Sequence, residues 1–118
     1  VKAYTKEGDA VLLQQPVYYP FSEVIKNDGR RLVNCQLRYE NNHYSIDFEK
    51  MEKMIREEGV KALIFCNPHN PVGRVWTKEE LARVGEICKK NNVLVIADEI
   101  HSDLVYAGYV HTPETFIL

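Results

Sequence analysis

Long hydrophobic runs are missing from this chain: the longest apolar stretches, such as Val93-Leu94-Val95-Ile96-Ala97, are far too short to cross a bilayer. No signal-peptide pattern opens the sequence, so the expectation is a soluble, cytoplasmic protein without a membrane partner. An excess of positive charge is missing too. The 15 Lys and Arg residues are scattered among 17 Asp and Glu, for a net charge of -2, which argues against a nucleic-acid partner. Cysteine is scarce: Cys35, Cys66 and Cys88 are odd in number and lack CxxC spacing. Cys35 and Cys66 fall in strand-like apolar runs and read as buried thiols, since a catalytic thiol needs exposure and a nearby base. Internal repeats and low-complexity segments are absent. What remains is 45% hydrophobic and 27% charged over 118 residues, an ordinary globular composition sufficient for one domain with a modest core.

Four short apolar runs, Ala10 to Gln14, Leu32 to Leu37, Ala62 to Cys66 and Val93 to Ala97, have the length and β-branched content of buried strands. Helical patterns lie between them. Pro20 to Asp28 places Phe21, Val24 and Ile25 on one face and stops at Gly29. A second helix opens at Asp47, an N-cap candidate, continues with Phe48, Met51 and Ile55, and closes at Gly59. In the third, Thr77 and Glu80 form a capping box ahead of Leu81, Val84 and Cys88. Val1 to Glu7 reads as the last turns of a helix stopped by Gly8, and the polar Arg38 to Ser45 segment as a surface loop. The alternation predicts an α/β fold, a three-layer α/β/α arrangement with a mostly parallel sheet and right-handed crossovers.

A parallel sheet of this kind binds its ligand at the carboxyl ends of its strands. Three clusters stand there: Pro16-Val17-Tyr18, Asn67-Pro68-His69-Asn70-Pro71-Val72-Gly73 and Ala97-Asp98-Glu99-Ile100-His101. Asp98 follows an apolar strand, where a carboxylate is costly to desolvate unless a cation or donors meet it, so a positive group is expected beside it. Tyr18 offers a flat ring. Asn70 sits in a loop stiffened by Pro68 and Pro71 and released by Gly73. A flat, anionic, nitrogen-containing ring suits all three.

Each residue also has a plainer reading. Asp98 also reads as a helix cap or ion-pair partner, Asn70 as a turn former, and Tyr18 as packing with Tyr19 doing any stacking. Asp98, His101, His69, Glu99 and Asp103 make a conceivable metal set, but three-residue spacing suits a helix and this segment leaves a strand. No HxxxH motif completes it. His69 reads as structural or near the ligand, and His43 and His111 as surface histidines.

On these motifs the chain resembles the large domain of fold-type-I pyridoxal-phosphate enzymes, the class I/II aminotransferase superfamily, whose hallmark is the stretch NPHNPVG from Asn67 to Gly73. The resemblance implies pyridoxal 5'-phosphate as cofactor. Asn70 would donate to its 3'-oxygen, Tyr18 would stack on its ring, and Asp98 would pair with the pyridine nitrogen. His101 stands where aminotransferases commonly carry Tyr and would bond the same 3'-oxygen. The form DEIHSDL, with PVYYPF and NNHYSIDFEKME, is similar to the carbon-sulfur β-lyase branch that includes the aminotransferase-like cystathionine β-lyases.

The resemblance further implies that residues 1–118 are part of the large, cofactor-binding domain, with the small domain and the remaining large-domain strands outside them. The start at Val1 and the apolar end at Phe116-Ile117-Leu118 fit a fragment. The resemblance places the Schiff-base lysine downstream of the Asp98 strand, beyond Leu118; no lysine follows Asp98 here, so the chain alone is expected to be inactive. A small amino-acid substrate and a homodimer complete the expectation. The readings that stand side by side are β-elimination from cystathionine-like amino acids, true amino transfer, and a noncatalytic α/β domain or inactive fragment.

Overall fold

The computed structural model describes residues 1–116 of the 118. Ile117 and Leu118, the end of the apolar terminal segment, lie outside the described residues.

The four apolar runs form one parallel sheet from β1 (Ala10–Leu13), β2 (Arg31–Asn34), β5 (Val60–Cys66) and β6 (Leu94–Asp98), in the order β2-β1-β5-β6. Between β2 and β5 lie a hairpin of β3 (Arg38–Glu40) and β4 (His43–Ser45), followed by α2 (Phe48–Glu58). The helices start and stop on local chemistry. The Asp47 side chain accepts from Lys50 N to cap α2, and Gly59 ends it in the left-handed region at φ 61°, which glycine adopts at little steric cost. At α3 (Lys78–Lys90) the expected capping box is complete, with Glu79 and Glu80 in the first turn and Lys89 and Lys90 in the last, complementing the helix dipole at both ends. α1 (Pro20–Asn27) lacks a side-chain cap and opens instead on Pro20, whose missing N–H costs nothing in a first turn.

Side-chain alternation along the strands divides the core in two. Val11 and Leu13 face Ile25 and Phe21 of α1, together with Ala62, Ile64 and Cys66. Leu12, Leu63 and Phe65 point the other way, against Met51 and Ile55 of α2 and Leu81, Val84 and Cys88 of α3. The result is the three-layer α/β/α architecture, with α1 on one face of the sheet and α2 and α3 on the other.

Four details depart from the sequence reading. Val24 is exposed, because an eight-residue helix presents only the Phe21–Ile25 stripe to the sheet. Val1 to Glu7 forms a single turn, in which Thr5 N and Oγ1 both donate to the Val1 carbonyl, instead of the end of a helix. Arg38 to Ser45 is an antiparallel hairpin and not a loop. Asn41 and Asn42 at its tip have φ of 50° and 58°, the left-handed pair that a two-residue type I′ turn requires, and Tyr39 packs across on Tyr44 with ring centroids 4.7 Å apart. Finally, β6 is an edge strand among the described residues, with Leu94 and Ala97 exposed. Among the described residues no helix is long and apolar enough to cross a membrane.

Candidate functional site

β1 hands the chain to α1 on one face of the sheet, and its neighbour β5 hands it to α3 on the opposite face. Adjacent strands that diverge in this way leave a gap between their outgoing loops, the place where an open α/β sheet takes a ligand. Tyr18 leaves β1 there, Asn70 leaves β5, and Asp98 ends β6. A cavity of about 370 Å³ at this edge is lined by Tyr18, Cys66, Asn70, Asp98, Ile100 and His101. All four residues singled out in the sequence thus meet on one cavity. A neighbouring cavity of about 420 Å³ shares Asn70 and His101 and extends to Arg74, Tyr106 and Tyr109.

The loop after β5 is tightly stitched. Asn67 is buried, and its N–H donates to the Asp98 carbonyl at 3.0 Å, joining the ends of β5 and β6. Its Oδ1 accepts from Trp76 N at 3.2 Å, and the indole N–H of Trp76 donates to the Cys66 carbonyl at 3.0 Å. Gly73 N and His69 N close the loop by hydrogen bonds to His69 O and Arg74 O, both 2.8 Å. The peptide bonds preceding Pro16, Pro68 and Pro71 are cis. The hydrogen bonds of Asn67, His69, Gly73 and Trp76 hold the backbone that presents Asn70.

Asp98 is half-buried, and Oδ1 accepts from Ile100 N at 3.1 Å, so its side chain starts the turn that brings His101 round. Among the described residues Asp98 makes no ion pair, so no side chain of this chain neutralises its carboxylate. Tyr18 is 45% exposed, with Phe21 edge-on at 5.7 Å supporting its ring. Of the two tyrosines, Tyr18 lines the cavity, whereas the more exposed Tyr19 does not.

Sequence reasoning missed Cys66 as a lining residue, although its place at the carboxyl end of β5 was the available signal. Its thiol lies 3.2 Å from the Pro68 carbonyl, and burial pushes its pKa up, so it is a protonated donor and not a nucleophile. Burial likewise raises Cys35 to about 11 and Cys88 to about 12. His43 is exposed as expected, but His111 is not a surface residue: its half-buried ring stands 3.8 Å from Glu99 Oε2. Among the described residues no cluster has the makings of a metal site.

Layers and crevice together define a doubly wound α/β domain with a carboxylate, an amide, an imidazole and a phenol ring around one small-molecule cavity. Residues 2–116 match the model of the aminotransferase class I and II family, and the chain belongs to that family. It is 44% identical over 113 residues to cystathionine beta-lyase PatB of Bacillus subtilis, covering 96% of this chain and 29% of that one. The crystal structure of cystalysin from Treponema denticola, which contains a pyridoxal 5'-phosphate cofactor, matches with a TM-score of 0.92 at 47% identity, over 95% of this chain and 28% of the other. A C-S lyase from Staphylococcus hominis in its cofactor-bound form matches with a TM-score of 0.93 at 39% identity, over 96% and 29%. The chain thus spans under a third of the length of these relatives.

Proposed function

We propose that this chain belongs to the cofactor-binding large domain of a pyridoxal-phosphate-dependent enzyme that transforms amino acids, and that carbon-sulfur β-elimination is its reaction. The observation that carries this reading is the convergence of Tyr18, Asn70, Asp98 and His101 on one cavity. The residues fit the cofactor. A cavity of about 370 Å³ lies within the range of small-molecule sites, and its donor set matches a planar ring with one basic nitrogen and one anionic oxygen. Asp98 has no competing ion pair among the described residues.

When bound, the cofactor supplies an electron sink for the carbon that carries the substrate amino group. The chain's own residues prepare it. The Asp98 carboxylate holds a proton on the ring nitrogen, each pKa unit of that coupling being about 1.4 kcal/mol. The Asn70 amide and the His101 imidazole direct hydrogen bonds to the ring oxygen, and Tyr18 covers one ring face and keeps water from it. No lysine lines the cavity, so the covalent anchor and the base that takes the α-proton come from elsewhere in the protein. The active species is read as a homodimer, which sedimentation of the active protein checks.

His101 and the likeness to proteins named cystathionine beta-lyase and C-S lyase favour elimination. The family as a whole favours amino transfer as the second reading. The test is to add pyridoxal phosphate to the protein carrying this chain, follow its visible absorbance, and offer L-cystathionine. Pyruvate and ammonia in equal amounts support elimination, and an amino group passed to a 2-oxo acid supports transfer. Absence of cofactor binding refutes both.

A further inference from the structure

His69 takes no part in the cavity lined by Tyr18 and Asp98, yet it joins the two loops that carry the ring-holding groups. Its side chain is 2% exposed, and Nε2 lies 2.9 Å from the Pro16 carbonyl oxygen. Pro16 stands two residues before Tyr18, and His69 immediately before Asn70. Among the described residues this is the one side-chain hydrogen bond between the Pro16–Tyr18 segment and the Asn67–Gly73 loop. The imidazole meets Trp76 edge-on, with centroids 5.6 Å apart and planes at 83°, and its backbone is held by Arg74 and Gly73, so the ring has one fixed direction.

The bond has a defined donor. A carbonyl only accepts, so Nε2 carries the proton, and burial lowers the pKa of His69, keeping the ring neutral with a bare Nδ1. Nδ1 makes no hydrogen bond among the described residues, and burial outweighs the favourable pull of the Pro16, Cys66 and Gln14 backbones on a charged ring.

We propose that His69 is a positioning residue: through Pro16 and its own backbone it fixes the spacing of Tyr18 and Asn70, and so the fit of the cofactor ring between them. The proposal rests on the cofactor reading above. It goes beyond that reading by assigning a role to a residue that lies outside the cavity of Tyr18 and Asp98 and lines the neighbouring one beside Asn70 and His101.

The test is a pyridoxal-phosphate titration of the protein carrying this chain, read by absorbance, in His69→Phe, His69→Gln, Tyr18→Ala and the double variant His69→Phe with Tyr18→Ala. His69→Phe keeps the ring against Trp76 but removes the donor, and should raise Kd about tenfold, the size of one buried hydrogen bond. His69→Gln, whose amide nitrogen reaches the Nε2 position, should restore Kd to within about threefold. In the Tyr18→Ala background His69→Phe should add less than about threefold, because the loss is routed through Tyr18. If His69→Phe does not fold, His69→Asn, whose amide falls short at the Nδ1 position, carries the same expectation. Wild-type Kd in His69→Phe, or the same loss with and without Tyr18, overturns the proposal. Failure of the wild-type protein to bind the cofactor overturns the functional reading itself.

Discussion

Arg74 and Thr77 share one carboxylate. Glu80 accepts from Arg74 Nη2 with both oxygens, at 2.9 and 2.8 Å, while its Oε2 also accepts from Thr77 N at 2.8 Å to close the capping box of α3. The same guanidinium donates to the Tyr44 carbonyl and to His43 Nε2, and lies over the Trp76 ring at 4.6 Å. One residue at the start of α3 thereby anchors both the hairpin and the end of the ligand-bearing loop.

Glu80→Ala strips the partner from a mostly buried guanidinium as well as half of the cap. It should cost about 2–4 kcal/mol, against about 1 kcal/mol for Thr77→Ala, which loses only the cap. Urea denaturation measures both, and equal losses would show that the ion pair adds nothing.

Asp98 makes only a turn hydrogen bond at a half-buried site, so Asp98→Ala should change stability by less than about 1 kcal/mol. Turnover of the protein carrying this chain should fall by about 10²–10³-fold, the scale of losing one preorganised electrostatic partner. Steady-state kinetics beside a melting curve separates the two effects. Full activity in this variant removes the assignment of Asp98 to the ring nitrogen.

The hairpin tip holds two non-glycine residues at positive φ, Asn41 at 50° and Asn42 at 58°. Asn tolerates this region better than Ala or Val does. Asn41→Val should destabilise the hairpin by about 1–2 kcal/mol, and Asn41→Gly should leave it unchanged or slightly firmer. Amide exchange at Glu40 and His43, the pair that closes the turn, reports the local opening, and equal protection in both variants would contradict the strain argument.

Glu114 is 2% exposed, and neither of its oxygens has a hydrogen-bond partner among the described residues. Burial, with the Glu99 charge nearby, pushes its carboxyl from 4.5 up to about 7. The unfolded chain releases this proton near pH 4.5 and the folded chain only near 7, so the folded state holds more protons in between. That contribution to stability is complete below pH 4.5, falls as pH rises to about 7, and stays low above it. Glu114→Gln should flatten this dependence and be more stable than wild type at pH 8. Urea midpoints from pH 4 to 8 that run parallel in the two proteins would refute it.

The sequence revealed what depends on near neighbours. Asp47, Gly59, Thr77 and Glu80 mark helix ends through bonds spanning three or four residues, and the β-branched runs mark the sheet. The meeting of Tyr18, Asn70, Asp98 and His101 was legible because a parallel sheet sends every strand's carboxyl end to one edge. The hairpin escaped notice because its strands are short and solvent-facing, leaving no apolar alternation to read; Asn41-Asn42 between Tyr39 and Tyr44 was the signal. His69 was legible as structural or near the ligand, but its partner Pro16, and the role of Arg74 with His43 and Tyr44, escaped because the finished fold alone brings these residues together. The exposure of β6 escaped because an apolar run looks the same at the edge of a sheet as at its centre.

The strand order has a kinetic consequence. The pairs β1–β2 and β5–β6 each close over a single helix, whereas β1–β5 must wait for α1, β2, the hairpin and α2 to be made and placed. Pairing of the two halves is therefore the entropically slow, nonlocal step of assembly. The crevice sits on that seam, so an undocked folding intermediate, however well formed in each half, has no place to hold a ring, and ligand capture can follow only the joining of β1 to β5.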